Sequence, residues 1–145
     1  MNLGNRVRWL AILALGLGLA ACATPKPKPD LLAPTEAQMK LRSMQTRSFD
    51  MTDRNQAIRG VIAALQDLGF IIERANEPLG LVTAARFAEP QYFDVMGVTV
   101  TVRREKGDKL RIRANAIYNN EPITDPKIYQ NFFATLERSM FIGRN

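Results

Sequence analysis

The chain has 145 residues, of which 46% are apolar and 23% are charged, a composition typical of a globular protein. It has 20 Lys and Arg against 14 Asp and Glu, which gives a net charge of +6, and it contains no His and a single Cys. The lack of His excludes Ser–His and Cys–His nucleophile pairs and His-ligated metals, and one Cys excludes an internal disulfide or a cysteine metal cluster. The sequence therefore predicts no cofactor, and its length suits one folded domain.

The N-terminus has the order of features found in a secretory signal. Arg6 and Arg8 precede an uninterrupted apolar run, Trp9–Ala20. This run is shorter than the roughly 20 residues that a membrane-spanning helix needs, so it fits the core of a signal peptide. The run ends at Leu19-Ala20-Ala21-Cys22, which resembles the lipobox of bacterial lipoproteins.

That resemblance implies where the protein resides. Cleavage before Cys22 would remove residues 1–21 as the signal peptide, and Cys22 would carry a diacylglyceryl thioether and an acylated amine such as a palmitoyl amide. Several acyl chains together anchor a protein firmly in a lipid bilayer. Ala23 after the cysteine implies sorting to the outer membrane of a bacterium with two membranes, with the domain facing the periplasm. Because the chain is exported, we expect no nucleic-acid partner, despite a pI near 9.9.

Residues 22–41 are predicted to be a lipidated tether. Proline alternates with other residues over Ala23–Pro29, and Pro34 follows. Such a segment favours extended polyproline II structure and cannot form a core. The helix-forming stretch Thr35–Ser43 could be a short helix, which the sequence leaves open, and the domain is predicted over 42–145.

The first half of the domain has a strand–helix–strand–strand pattern. A strand over Met44–Phe49 is followed by a helix that begins at Asp53, a good N-cap, and ends at Gly69. The spacing predicts two more strands, Phe70–Arg74 and Leu81–Phe87, which are separated by a turn.

The second half begins with two strands of clear alternation. Even-numbered residues are apolar over Val98–Val102 and again over Leu110–Ala116. Because directly paired residues share a face, the two numbers of each pair must have an even sum. The hairpin loop therefore has an odd number of residues. A three-residue loop, Gly107–Lys109, would place Glu105 opposite Arg111.

A final helix is predicted to begin at Asp125 and Pro126 and to end at Gly143, with its apolar stripe in the core. The fold class is then α+β, a two-layer sandwich in which an antiparallel sheet of about five strands carries two helices on one face. The predicted order of elements is β-α-β-β-β-β-α.

The segment Asp53–Ala84, with a helix that ends in Leu68-Gly69-Phe70 and is followed by two strands, resembles a known family. It is similar to the helix-grip domains in the C subunit of the outer-membrane β-barrel assembly machinery. That subunit has two such domains, whereas this sequence has one. We therefore group the sequence with small lipoproteins of unknown function that share the pattern. The resemblance implies a helix-grip fold and carries over no catalytic residue.

Two sets of residues are candidates for a partner surface. Arg103, Arg111 and Arg113 should share the solvated face of the hairpin, where they could meet an anionic partner or simply keep that face soluble. Tyr92 and Phe93 lie in a loop and could form a binding lip or cap the core.

Three functions compete. The leading hypothesis is a non-catalytic interaction or accessory module of the cell envelope, bound to an envelope protein whose identity the sequence does not give. The alternatives are a carrier of a small ligand or lipid and a weak carboxylate-dependent cell-wall hydrolase. No carboxylate pair or serine motif in the sequence marks a catalytic or metal site, so we expect that the protein is not an enzyme. A filled core favours the interaction module, a continuous apolar cavity under the last helix favours the carrier, and an open cleft with two acids favours the hydrolase.

Overall fold

The computed structural model describes residues 33–87 and 94–142 of the chain. Cys22 and the predicted signal peptide, most of the predicted tether, Gly143, and the loop residues Tyr92 and Phe93 lie outside the described residues.

Three helices and six strands form the described part. In chain order they are α1 (Glu36–Met44), β1 (Thr46–Phe49), α2 (Arg54–Asp67), β2 (Ile71–Asn76), β3 (Leu81–Phe87), β4 (Val95–Glu105), β5 (Lys109–Tyr118), β6 (Glu121–Pro122) and α3 (Pro126–Ile142).

Helix α1 occupies the stretch that the sequence left open. Thr35 and Gln38 form a capping box, in which the Thr35 hydroxyl accepts from the Gln38 N–H at 3.2 Å and Gln38 Oε1 accepts from the Thr35 N–H at 3.0 Å. Leu41 and Met44 pack against the core. Helix α1 therefore spans the boundary predicted between residues 41 and 42.

Helix α2 begins and ends as predicted. The Asp53 side chain accepts from the backbone N–H groups of Asn55 and Gln56, each at 2.9 Å, and Gly69 has a left-handed φ of 80° just after the helix. Ile58, Val61 and Leu65 are among its fully buried residues.

The sheet is antiparallel, with strand order β2-β3-β4-β5-β1, and the short strand β6 pairs with the far end of β5. The sequence prediction missed β6. Its hairpin turns at Asn119 and Asn120, whose φ angles of 46° and 68° fit a type I′ turn. Asn tolerates positive φ, so the Asn119-Asn120 dipeptide is the sequence signal that could have predicted this turn.

The β4–β5 hairpin confirms the parity argument but corrects the register. Val98 faces Ala116 and Glu105 faces Lys109, so the loop is Lys106–Asp108 rather than Gly107–Lys109. Gly107 and Asp108 both have positive φ, and they occupy the second and third loop positions. The loop thus begins one residue earlier than predicted, and the partner of Glu105 shifts by two residues, from Arg111 to Lys109. Arg111 consequently lies directly opposite Arg103, not opposite Glu105.

One face of the sheet packs against α2 and α3 to form the core. The even-numbered residues of β4 and β5 supply buried Val, Leu, Ile and Ala side chains, and α3 contributes buried Tyr129, Phe133 and Leu136. The predicted α+β class is confirmed, with six strands and three helices in place of about five and two. Within the described residues, no helix is long and apolar enough to cross a membrane.

Candidate functional site

The sheet has a second face, which we call the open face, made by the odd-numbered residues of β3, β4 and β5 together with Thr46 and Ser48 of β1. Every described residue of this face is exposed or half-buried, whereas Val, Leu, Ile and Ala residues on the helix-side face are buried. The open face is therefore a sheet surface, not covered by the helices, on which the domain can meet another molecule.

Arg111 lies on the open face, but its charge is compensated. Its guanidinium forms an ion pair with Glu105, whose other carboxylate oxygen accepts a hydrogen bond of 2.6 Å from the Ser48 hydroxyl. These contacts, first the hydroxyl and then the guanidinium, lower the pKa of Glu105 below its ordinary value. The Glu105 carboxylate also offsets the repulsion expected between Arg103 and Arg111, which are directly opposite each other.

Arg113 has a structural role. Its Nη2 donates to Gln45 Oε1 at 3.1 Å, and Gln45 is 1% exposed. The Arg103 side chain, by contrast, is exposed and makes no hydrogen bond or ion pair with any residue in the ranges 33–87 and 94–142. The structure thus brings the three predicted arginines onto one face and leaves Arg103 as the member with an uncompensated charge.

The open face also carries an apolar patch, which the sequence analysis did not identify. Ile71, Ala85, Gly97 and Ile117 form a row across four strands, and Phe87 faces Val95 beside it. Ile71 is 69% exposed, Phe87 61% and Val95 40%. A shallow cavity of about 390 Å³ lies over Gly97, which has no side chain to fill it. A Cβ atom at this position would lie 3.2 Å from Ile117 Cγ1. Hereafter "apolar patch" denotes Ile71, Ala85, Phe87, Val95 and Ile117.

A polar cluster of Asp94, Tyr118 and Asn119 lies beside the apolar patch and connects the start of β4 with the end of β5. Asp94 accepts hydrogen bonds from the Tyr118 hydroxyl and, at 2.8 Å, from Asn119 Nδ2, and Asn119 Oδ1 accepts from the Val95 N–H at 3.0 Å. The Tyr118 hydroxyl, followed by the Asn119 amide, lowers the pKa of Asp94, and the pKa of Tyr118 is raised in turn. Asp94 and Glu105 both stay ionised at neutral pH, opposite to the raised pKa that a carboxyl general acid needs.

A second feature, which we call the recess, lies on the helix-side face beneath the first half of α3. It is an apolar cavity of about 120 Å³ between the sheet, the end of α2 and α3. Its walls include Leu68, Phe70, Met96, Ala116 and Phe132, and its one charged side chain is Arg86. Enclosed ligand sites are typically about 300–1,000 Å³, so the recess is too small to enclose a lipid acyl chain.

Within the described parts of the chain, no group of three or more Cys, Asp or Glu side chains is arranged to hold a metal ion. The chain matches no protein-family model, and a search of curated proteins gives no match.

Proposed function

We propose that this protein is a lipoprotein anchored in the outer membrane through acylated Cys22, and that its domain faces the periplasm and binds an envelope protein without catalysis. The proposal takes its location from the N-terminal sequence, where basic residues, an apolar core and Leu19-Ala20-Ala21-Cys22 follow in order.

The observation that supports a binding role is the combination of the apolar patch and Arg103 on the open face. Exposed apolar groups that adjoin charged groups are typical of protein interfaces, in which an apolar centre is surrounded by a polar rim. Ile71 and Phe87 are both more than half exposed. A protein partner that covers the apolar patch would remove this apolar surface from water.

The charge of the open face indicates the chemistry of that partner. Arg74, which faces Thr83 on β3, and Arg103 are both exposed and make no ion pair within the described residues, while Glu105 is already paired with Arg111. The positions of Arg74 and Arg103 therefore carry uncompensated positive charge, whereas Glu73, which lines the cavity over the apolar patch, and Asp94 beside it are carboxylates without an ion pair within the described residues. The occupant we propose is a protein surface with an apolar centre that covers the apolar patch and an acidic residue that meets Arg103.

The two other functions receive less support from the geometry. The recess under α3 is apolar, as a carrier requires, but its volume of about 120 Å³ is below the usual volume of a ligand-binding cavity. Asp94 and Glu105, whose pKa values are lowered, are engaged as hydrogen-bond acceptors.

Site-specific photocrosslinking in intact cells tests the proposal. A photoreactive amino acid at Thr99, between the apolar patch and Arg103 on the open face, should give an adduct with an envelope protein. The same group at Gln130, an exposed position on α3, is the matched control and should give none. In the Thr99 protein, Arg103→Glu should abolish the adduct, because it reverses the uncompensated charge.

Arg104→Glu is the second control. Arg104 is also exposed, but it lies opposite Leu110 and belongs to the helix-side face. It should leave the adduct intact. Absence of any adduct at Thr99, an equal adduct at Gln130, or equal loss with both arginine variants would contradict the proposed function.

A further inference from the structure

The recess contains a charged group in apolar surroundings. Arg86, the sixth residue of β3, lies on the helix-side face and lines the recess together with Phe70 and Met96. A cation that is removed from water is costly unless hydrogen bonds or an anion compensate it. The partners of the Arg86 guanidinium therefore decide what the recess can accept.

One edge of this guanidinium has no hydrogen-bond partner among the residues that the structure describes. Arg86 Nη1 donates to the Leu68 carbonyl at the end of α2 at 3.0 Å, and the guanidinium carbon lies 5.0 Å from the centre of the Phe70 ring. Arg86 Nε is buried and has no hydrogen-bond partner among the described residues, and Nη2 makes no hydrogen bond there either. Nε–H and Nη2–H point in parallel from the same edge of a guanidinium, which is the edge that binds a carboxylate with two hydrogen bonds.

Among the described arginines with a buried, unpartnered Nε, Arg86 differs from the other two. Arg54 and Arg113 also have a buried Nε without a partner in the described chain. In both, however, Nη2 is occupied: that of Arg54 donates to the carbonyls of Glu77 and Pro78, and that of Arg113 donates to Gln45 Oε1. Neither residue lines the recess. Arg86 instead uses Nη1, so its two-donor edge has no partner within residues 33–87 and 94–142.

The size of the recess limits that molecule. A buried apolar cavity of about 150 Å³ holds benzene, and the recess has about 120 Å³. It can therefore take an apolar group no larger than one aromatic ring or a short hydrocarbon chain.

We propose that the recess binds a small apolar monocarboxylate, with its carboxylate on the Nε/Nη2 edge of Arg86 and its apolar group between Phe70, Met96 and Phe132. A carboxylate matches the two parallel donors and compensates the guanidinium charge. This site lies on the helix-side face and does not depend on the partner proposed for the open face.

Met96 provides a direct probe. We would label the methionine methyl groups of the full chain with ¹³C, hold the protein in detergent micelles, and titrate it with 3-phenylpropionate while recording methyl NMR spectra. The signal of the Met96 methyl group should shift and saturate, because Met96 lines the recess. The signal of the Met140 methyl group should not, because Met140 lines a different cavity, together with Phe49 and Phe141. The neutral isostere 3-phenylpropanol should bind about tenfold more weakly, because it lacks the charge-assisted pair of hydrogen bonds.

Two variants test the two parts of the site. Arg86→Lys keeps the charge but lacks the two-donor edge, and it should weaken 3-phenylpropionate binding about tenfold and leave 3-phenylpropanol unaffected. Ala116→Val should fill part of the recess and weaken both compounds. An unshifted Met96 methyl, or equal binding of the acid and the alcohol to the unaltered chain, would overturn the proposal even if either variant failed to fold. Unchanged acid binding by a folded Arg86→Lys protein would also overturn it.

Discussion

Gln45 Nε2 donates a hydrogen bond of 3.2 Å to the hydroxyl of Tyr129, so a residue just before the first strand is joined inside the core to the last helix. Gln45 Nε2 also donates to Asn115 Oδ1 at 3.1 Å, and the Tyr129 hydroxyl donates to the Ile123 carbonyl at 2.7 Å. With the bond from Arg113 to Gln45 Oε1, both ends of the buried amide have partners. A buried polar group that is satisfied in this way fixes the arrangement of the elements around it.

Gln45→Ala should lower the free energy of unfolding by about 2–3 kcal/mol, because it leaves buried polar groups of its neighbours without partners. Urea denaturation of the two proteins measures the difference. Gln130→Ala, an exposed control on α3, should change stability by less than about 0.5 kcal/mol. Equal effects from both changes would mean that the Gln45 network does not stabilise the fold.

Gln45 also illustrates what the sequence could not predict. Alternation and capping residues predicted α2, α3 and the main strands, because each signal is local. Gln45 lies between a helix and a strand, where no period reveals burial. Whether Arg111 lies opposite Glu105 or opposite Arg103 depends on where the hairpin loop begins, and a difference of one residue decides it. The recess depends on how α3 lies over Ala116 and which way Arg86 turns, and only the folded structure fixes both.

Gly80 and Gly69 form a matched pair for separating backbone strain from steric overlap. Both have positive φ, 62° and 80°, but a Cβ atom on Gly80 would lie 2.3 Å from the Val102 carbonyl oxygen, whereas one on Gly69 meets nothing within 4 Å. Gly69→Ala should cost about 1–2 kcal/mol, the strain of the left-handed conformation. Gly80→Ala should cost clearly more, because the Val102 N–H also bonds to the Gly80 carbonyl at 2.8 Å and holds the two backbones together. Thermal or urea unfolding gives both values, and similar losses would show that steric overlap at Gly80 adds nothing to the backbone strain.

Phe133 is expected to be a major contributor to the core. Phe133 is buried, and its ring centre lies 5.1 Å from the ring centre of Phe132. The Arg47 guanidinium carbon lies 4.9 Å from the ring centre of Phe133. Phe133→Ala should destabilise the domain by about 3–5 kcal/mol in urea denaturation. Phe141→Ala on the same helix is the control, because Phe141 is 69% exposed and its loss should have little effect on stability. A small effect at Phe133 would contradict the tight packing of α3 on the sheet.

The acid dependence of stability should include a contribution from Glu105. Its pKa in the folded protein lies below the ordinary value of 4.5, because the Ser48 hydroxyl and Arg111 favour the carboxylate. Stability from these contacts is therefore present above the unfolded pKa and is lost as the pH falls through the lower folded pKa. In urea denaturation, Glu105→Gln should be less stable than the unaltered protein at pH 7, and the difference should disappear in strong acid. A difference that stays constant with pH would contradict this assignment.

Cys22→Ser tests the proposed anchor. The unaltered protein should fractionate with membranes and carry the mass of its acyl chains, whereas the variant should lack that mass. Mass spectrometry of the two membrane fractions measures this directly. A mature protein without acyl groups that remains firmly in the membrane would contradict lipid attachment at Cys22.

The pairing of β1 with β5 has a consequence for the order of folding. Thr46 pairs with Arg113, so the first strand has no partner until most of the domain has been synthesised. Pairing between segments so far apart in sequence must overcome a large loop-closure entropy, and it forms slowly. A nascent chain that ends before β5 cannot complete the sheet. The domain can therefore complete its sheet only late in its synthesis, which is compatible with the export that we propose for this chain.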